Sequence, residues 1–519
     1  MERLWKSDLE NGTFQNPILF ADYSDPDVIR VGDTYYMTAS SFNYVPGLPI
    51  LTSKDLVNWK LVNYAIDRID YENYNVPQHA KGVWAPAIRY HEGAFYIYYG
   101  MPDEGIFMVK TTDPLGKWEK PVLVLEGKGL IDSCPIWDED GRAYVIHGYA
   151  KSRIGFKSFL GIFEMSWDGT KAISEDHILY DGLKTQHTIE GPKVYKRDGF
   201  YYILAPAGGV KTGWQTALRS KNIYGPYEEM VVLRQGNTEI NGPHQGALVD
   251  TVGGEEWFVH FQDRGLYGRI THLQPVTWID GWPAMGCNIE GYCGEPVITW
   301  KKPDTGCAEE SCYLEASDDF TSETLNLMWQ WLGNAGEDFY SLAEKNHLRL
   351  YSKNPSGKER PTIWECSNVL TQKLVCPYFE AECLLNAGAL MHNEKAGMVM
   401  MGGDYAYLAV KKEENEYSIV YTVSHDERGT KIEEEQVVAK IQDASCVKFL
   451  IKMQDGPSFQ MYYQVGSEGW TEVKEAQAFV PSDHTWVGAK LGLFAIAKTQ
   501  DNTCGYADFS YIHVNAIEK

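Results

Sequence analysis

Five times along this chain a glycine-centred turn leads into a run of aromatic and β-branched residues, at Gly32, Gly93, Gly141, Gly199 and Gly253. Four of the copies read Val31-Gly32-Asp33-Thr34-Tyr35-Tyr36, His91-Glu92-Gly93-Ala94-Phe95-Tyr96, Glu139-Asp140-Gly141-Arg142-Ala143-Tyr144 and Lys196-Arg197-Asp198-Gly199-Phe200-Tyr201. A tight turn between two such runs is the signature of a β-hairpin. The spacing of roughly 50 to 60 residues matches a four-stranded sheet with its loops, repeated radially as in a β-propeller. Five copies predict five blades. In such a ring the first strand of each blade lines the central axis, so residues far apart in sequence converge on one funnel.

What stands ahead of each turn is therefore informative. Nine residues before the turn glycine lie Trp84, Asp132, Glu190 and His244, and Asp25 stands seven before Gly32. The repeat thus delivers three carboxylates, an indole and an imidazole to near-equivalent positions. Each has a bland reading: an Asp before Pro often caps a turn, and a lone His is often a hydrogen-bonded structural residue. Their shared register favours the functional one.

The chain's 519 residues exceed one ordinary domain and suffice for two cores. The propeller is expected over 14–300. Lys301 to Tyr313 has the Pro, Gly and polar composition of a linker, placed at 301–315. From 316 to 519 the blade period vanishes, and alternating segments such as Leu348-Arg349-Leu350-Tyr351, Phe379-Glu380-Ala381-Glu382-Cys383 and Phe459-Gln460-Met461-Tyr462-Tyr463 predict a β-sandwich. The expected class is all-β, a five-bladed propeller followed by a sandwich. No catalytic cluster stands out in the second half.

The balance of 47 Lys+Arg against 71 Asp+Glu, a net charge of −24, argues against nucleic acid, whose binding requires a basic surface to neutralise phosphates. A neutral ligand suits that charge better. Met1-Glu2-Arg3-Leu4-Trp5-Lys6-Ser7-Asp8 holds no apolar core of signal-peptide length, and no run approaches the ~20 apolar residues of a membrane span. The ten cysteines form no CxxC pair and no zinc-like spacing. They read as reduced thiols of a cytoplasmic protein; in a secreted one, Cys287, Cys293, Cys307 and Cys312 cluster closely enough for a disulfide. No nucleic acid and no membrane is expected as partner, and a homo-oligomer is left open.

Glycoside hydrolysis needs one carboxylic acid to protonate the leaving oxygen and a carboxylate partner, which in the inverting mode activates water from about 6.5 to 9.5 Å away. Acids on separate blades suit the wider spacing. Mutual repulsion of grouped carboxylates keeps one protonated near neutrality. Glu190, with the longest reach, is the expected general acid, Asp25 the general base, and Asp132 the third acid that raises and orients Glu190.

The segments Asn16-Pro17-Ile18-Leu19, Ser24-Asp25-Pro26-Asp27-Val28-Ile29-Arg30, Ser41-Phe42-Asn43-Tyr44-Val45-Pro46-Gly47, Gly82-Val83-Trp84-Ala85-Pro86, Asp132-Ser133-Cys134-Pro135 and Glu190-Gly191-Pro192 resemble those of glycoside hydrolase family 43, the β-xylosidases and α-L-arabinofuranosidases. The resemblance spans nearly the whole chain, since two-domain members carry a C-terminal sandwich. It implies an exo-acting, inverting enzyme that releases terminal pentose, α-L-arabinofuranose and/or β-D-xylose, from small oligosaccharides derived from plant hemicellulose, with Asp25 as base, Asp132 as pKa modulator and Glu190 as acid. It further implies that Phe42 and Trp84 pack on the sugar, that Arg269 reaches sugar hydroxyls and the nearby carboxylates, and that His244 faces the funnel. No cofactor is required, although in some relatives such a His and waters hold a calcium ion on the propeller axis. One departure is local: the family's Pro before the base is Ser24 here, and a second acid, Asp27, follows Pro26. The rival readings are a non-catalytic sugar-binding propeller and a retaining fructan or sucrose hydrolase, whose Asn-Asp-Pro-Asn motif is absent.

Overall fold

The computed structural model describes residues 4–307, 310–342, 346–427, 429–454, 458–498 and 504–517. Residues 1–3 of the lead-in, 308 and 309 of the expected linker and 518–519 at the end of the expected sandwich lie outside the described residues.

Five units of four antiparallel strands follow one another in sequence, over 27–66, 84–126, 130–181, 193–233 and 244–285, and the fourth sheet is extended to six strands by Cys293–Glu295, which pairs parallel with Glu228–Leu233, and Cys287–Glu290. These are the five blades. Their innermost strands are Asp27–Val31, Trp84–His91, Leu130–Trp137, Lys193–Arg197 and His244–Asp250. The hairpin glycines enforce the turns: Gly32, Gly93, Gly141 and Gly199 all hold positive φ, between 65° and 85°, a region closed to most side chains. In the fifth hairpin the left-handed glycine is Gly254, at 83°, rather than Gly253. The expected count there shifts by one, so His244 stands ten residues ahead of its turn.

Blades pack face to face through the apolar halves of their alternating strands. Tyr98, Val145 and Phe163 fill the layer between the second and third; Ile146, Val194 and Ile203 that between the third and fourth; Leu204, Phe258 and Trp282 that between the fourth and fifth.

The two ends of the ring meet in a two-stranded pair that belongs to no blade. Thr13–Gln15 pairs antiparallel with Thr299–Lys301, and the buried Asn16 clamps the seam. Its amide donates to the carbonyls of Leu273 and Val297 at 2.9 and 2.8 Å, and its Oδ1 accepts from the Leu273 N–H at 2.9 Å.

The second half folds as two packed seven-stranded antiparallel sheets among the described residues, a sandwich that includes the expected strands at 348–351, 379–386 and 459–465. It is seated on the propeller. Val45 and Trp331 exchange backbone hydrogen bonds at 3.1 and 2.6 Å, Asn43 Nδ2 donates to the Leu332 carbonyl at 2.7 Å, and His79 stacks on Trp364 at 3.5 Å. The 68–81 loop is partly buried beneath this contact: Ile69 and Tyr74 are buried, and Asn334 of the sandwich bonds the backbone of both. All ten cysteines are free thiols, including the four near the junction.

Removing the Asn16 side chain strands three buried backbone groups, each costing about 1–3 kcal/mol. Asn16→Ala is expected to lower unfolding free energy by about 3 kcal/mol, read from the denaturant midpoint; an unmoved midpoint shows that closure does not rest on this clamp.

Candidate active site

The three acids meet at the head of the inner strands. Asp25 and Asp132 adopt left-handed backbone, at φ 55° and 58°, and in the other three blades the residue after the funnel side chain does the same: Ala85 at 35°, Gly191 at 58° and Gln245 at 37°. Strand pairing is interrupted at the same level, between Trp84 and Ala87, Ile131 and Cys134, and His244 and Gly246. Non-glycine residues held at positive φ cost of order 1–3 kcal/mol each and cluster at functional sites. Here the break turns each strand head toward the axis before the ladder resumes.

Asp25 is 7% exposed and heavily coordinated. Its Oδ2 accepts from Ser24 Oγ at 2.7 Å and Ser40 Oγ at 2.6 Å, while Arg269 Nη1 donates to Oδ1 at 3.1 Å and to Ser24 Oγ at 2.9 Å. Ser40 in turn accepts from the Ala85 N–H at 2.7 Å, tying the first blade to the second. The neighbouring acid faces a different fate. Asp27 is fully buried, its Oδ2 taken by the Ile88 N–H and by Arg89 Nη1, both at 2.7 Å. It forms a structural ion pair, and Asp25 is the carboxylate left at the funnel.

Asp132 and Glu190 are linked through backbone, because the Gly191 N–H donates to Asp132 Oδ2 at 2.8 Å. Burial first, then the charges of Glu190 and Asp25, push Asp132 up to about 8. Two adjacent carboxylates cannot both ionise cheaply, so Asp132 holds its proton near neutrality. Glu190 is the accessible member, its side chain 31% exposed, and His244 Nε2 lies 3.2 Å from its Oε1.

Phe42 and Trp84 form an aromatic wall, their rings 6.3 Å apart and tilted by 60°. Behind it are contacts that the sequence did not signal. Trp486, from the sandwich, packs its ring edge 4.5 Å from Trp84, and the Arg153 guanidinium lies 5.3 Å from the same indole. One apolar cluster runs from Phe42, Tyr44 and Trp84 into Val487, Tyr405 and Phe494 of the second domain. Ser40, Arg153 and Trp486 sit in segments without turn or periodicity signals and reach the site only through tertiary packing.

For a metal at His244 the donor set is thin. Among the described residues no three of His, Cys, Asp and Glu are placed to hold an ion, and His244 Nε2 is engaged by Glu190. Calcium takes six to eight oxygens, waters among them, and the protein's own contribution here would be His244 with the Glu190 carboxylate. A separate cavity of about 570 Å³ opens past the far ends of the inner strands, but its charges are paired, Arg30 with Asp250, Arg197 with Glu256, Arg89 with Asp27 and Lys196 with Asp138, and none of the three acids lines it.

The raised Asp132 makes stability pH-dependent. Below the ordinary carboxylate value of 3.8 both folded and unfolded states are protonated; as pH climbs toward 8 only the unfolded state ionises, and stability is lost. Asp132→Asn is expected to match wild type in thermal midpoint near pH 4 and to exceed it by at least roughly 2 °C above pH 8, measured by calorimetry across that range.

The profile of Glycosyl hydrolases family 43 matches residues 14–283, and that of the β-xylosidase C-terminal concanavalin A-like domain matches 317–515. A β-xylosidase of Formosa agariphila is 32% identical over 97% of this chain and 90% of its own length. A non-reducing end α-L-arabinofuranosidase of Bacteroides ovatus is 32% identical over 85% of this chain and 82% of its own. Among solved structures, a xylan β-1,4-xylosidase from Bacillus halodurans superposes with TM-score 0.83 at 25% identity, covering 96% of this chain and 99% of that one.

Proposed function

The chain belongs to glycoside hydrolase family 43, and from that premise we propose that it is an exo-acting, inverting hydrolase removing terminal β-D-xylose and α-L-arabinofuranose from hemicellulose-derived oligosaccharides. The observation that carries the reading is the meeting of three carboxylates from three blades in unlike surroundings. Arg269 and two hydroxyls converge on Asp25, an environment built for an anion that must hold and deprotonate a water. Glu190 is the carboxyl that reaches solvent, its side chain 31% exposed beside His244, which suits it to meet and protonate the leaving glycosidic oxygen.

In this mechanism Glu190 delivers its proton as the glycosidic bond breaks, and Asp25 takes one from the water that attacks the opposite face of the anomeric carbon. Asp132 fixes the Gly191 N–H. His244 orients Glu190. Phe42 and Trp84 offer apolar faces to the sugar ring, and Arg269 supplies a donor for its hydroxyls as well as for Asp25. No step is routed through a metal. The relatives' names support both pentoses, and xylopyranose and arabinofuranose present similar hydroxyls to one site.

The test is a pair of substrates, an aryl β-D-xylopyranoside and an aryl α-L-arabinofuranoside, with wild type, Asp25→Ala and Glu190→Ala. Both variants are expected to lose roughly 10²–10⁴-fold in kcat/KM, with Glu190→Ala suffering less on the better leaving group. Proton NMR should show α-xylose as first product from the β-xyloside. Release of β-xylose rejects inversion. Wild type that binds xylose but hydrolyses neither substrate supports the sugar-binding alternative.

A further inference from the structure

We propose that Asp22 is a positioning residue that sets the active site through both domains at once. It is buried at the seam between propeller and sandwich, and each of its oxygens is committed to a different side. Oδ1 accepts from the backbone N–H of Arg269, and Oδ2 from the backbone N–H of Gly488, both at 2.9 Å. Arg269 is the residue whose guanidinium holds Asp25, and Gly488 lies two residues beyond Trp486, which packs on Trp84. One carboxylate therefore links the support of Asp25 to the support of the aromatic wall.

The fit leaves little slack. A Cβ on Gly268 would come within 2.4 Å of Asp22 Cγ, and one on Gly488 within 2.5 Å of the Gly268 nitrogen. The Ala489 N–H donates to the Leu266 carbonyl at 2.7 Å, so the sandwich turn and the 266–269 turn are sewn together around the carboxylate. Lys373 and Lys490 lie beside it, and burial pushes both below the ordinary lysine value, Lys490 the further because Lys373 adds to the effect, so the two backbone N–H groups are the partners that hold the carboxylate. A buried carboxylate gripped by one backbone donor from each domain is a rigid joint, because removing it leaves two buried N–H groups without an acceptor.

The assignment rests on the reading of Asp25 above, so Asp25→Ala is assayed alongside; its failure to reduce activity would reject that reading rather than the joint. Asp22→Asn keeps size and shape but sets an NH₂ against one of the two N–H groups. It is expected to lower kcat at least 10-fold on an aryl xyloside while KM changes less than 3-fold, since misplacement of catalytic groups by about 1 Å costs up to 10²-fold. Asp22→Asn combined with Trp486→Ala is expected to fall short of the product of the single effects, because both act through one turn. Asp22→Asn that lowers the thermal midpoint yet retains kcat within 2-fold overturns the proposal, as does a double variant whose losses multiply. Should Asp22→Asn not fold, Gly488→Ala, which pushes the turn off Gly268 with the carboxylate intact, is expected to show the same kcat loss, and its retention of wild-type kcat overturns the proposal.

Discussion

Repulsion among three carboxylates at one point on the axis is the constraint that organises this molecule. Left bare, such a cluster would hold protons indiscriminately or drive the strand heads apart. The structure instead gives each acid a different set of partners. Asp25 receives a guanidinium and two hydroxyls, Asp132 receives one backbone N–H and near-complete burial, and Glu190 receives an imidazole and an opening to solvent. Differences in partner, rather than in residue type, are what separate the roles of acid and base. The buried acid next to them, Asp27, has its charge met by Arg89 at 2.7 Å and stays out of the funnel chemistry.

Placing side chains on an axis demands a backbone that leaves its ladder, and the fold repeats one solution five times. Each inner strand begins with a left-handed residue, and three of the five show an offset in register at that level. The strain is distributed around the ring and held by inter-blade packing, so no single blade carries it alone. This also explains why the acids share a sequence register: the bend is a property of the blade, and whatever residue occupies it points inward.

That regularity is why so much was legible in the sequence. Turn glycines, alternation and the blade period are local signals, and they suffice to bring Asp25, Asp132, Glu190, Trp84 and His244 to one funnel. The slip at Gly253 shows the limit of counting, because two adjacent glycines are equivalent on paper and only Gly254 adopts the left-handed turn. What lies between domains was not legible. Trp486 is 402 residues from the Trp84 it supports, and nothing in Thr485-Trp486-Val487-Gly488 distinguishes it from a core aromatic. Asp22 reads as one more acid ahead of the first hairpin, and Ser40 as one of two adjacent serines.

The seam between the domains also accounts for a sandwich that carries no acids of its own in the funnel. A propeller funnel is open at its mouth, and an aromatic wall exposed there would be free to tilt. Trp84 is instead held by Phe42 on its own domain, by Trp486 from the other and by Arg153, whose charge is tied to Asp103 at 3.1 Å. Because the apolar cluster behind that wall continues into the sandwich core, tilting Trp84 would open a cavity in close-packed interior, at a cost of several kcal/mol for a large side chain. The second domain thus converts a rim residue into a buried one, and the geometry of the funnel becomes as rigid as the core behind it.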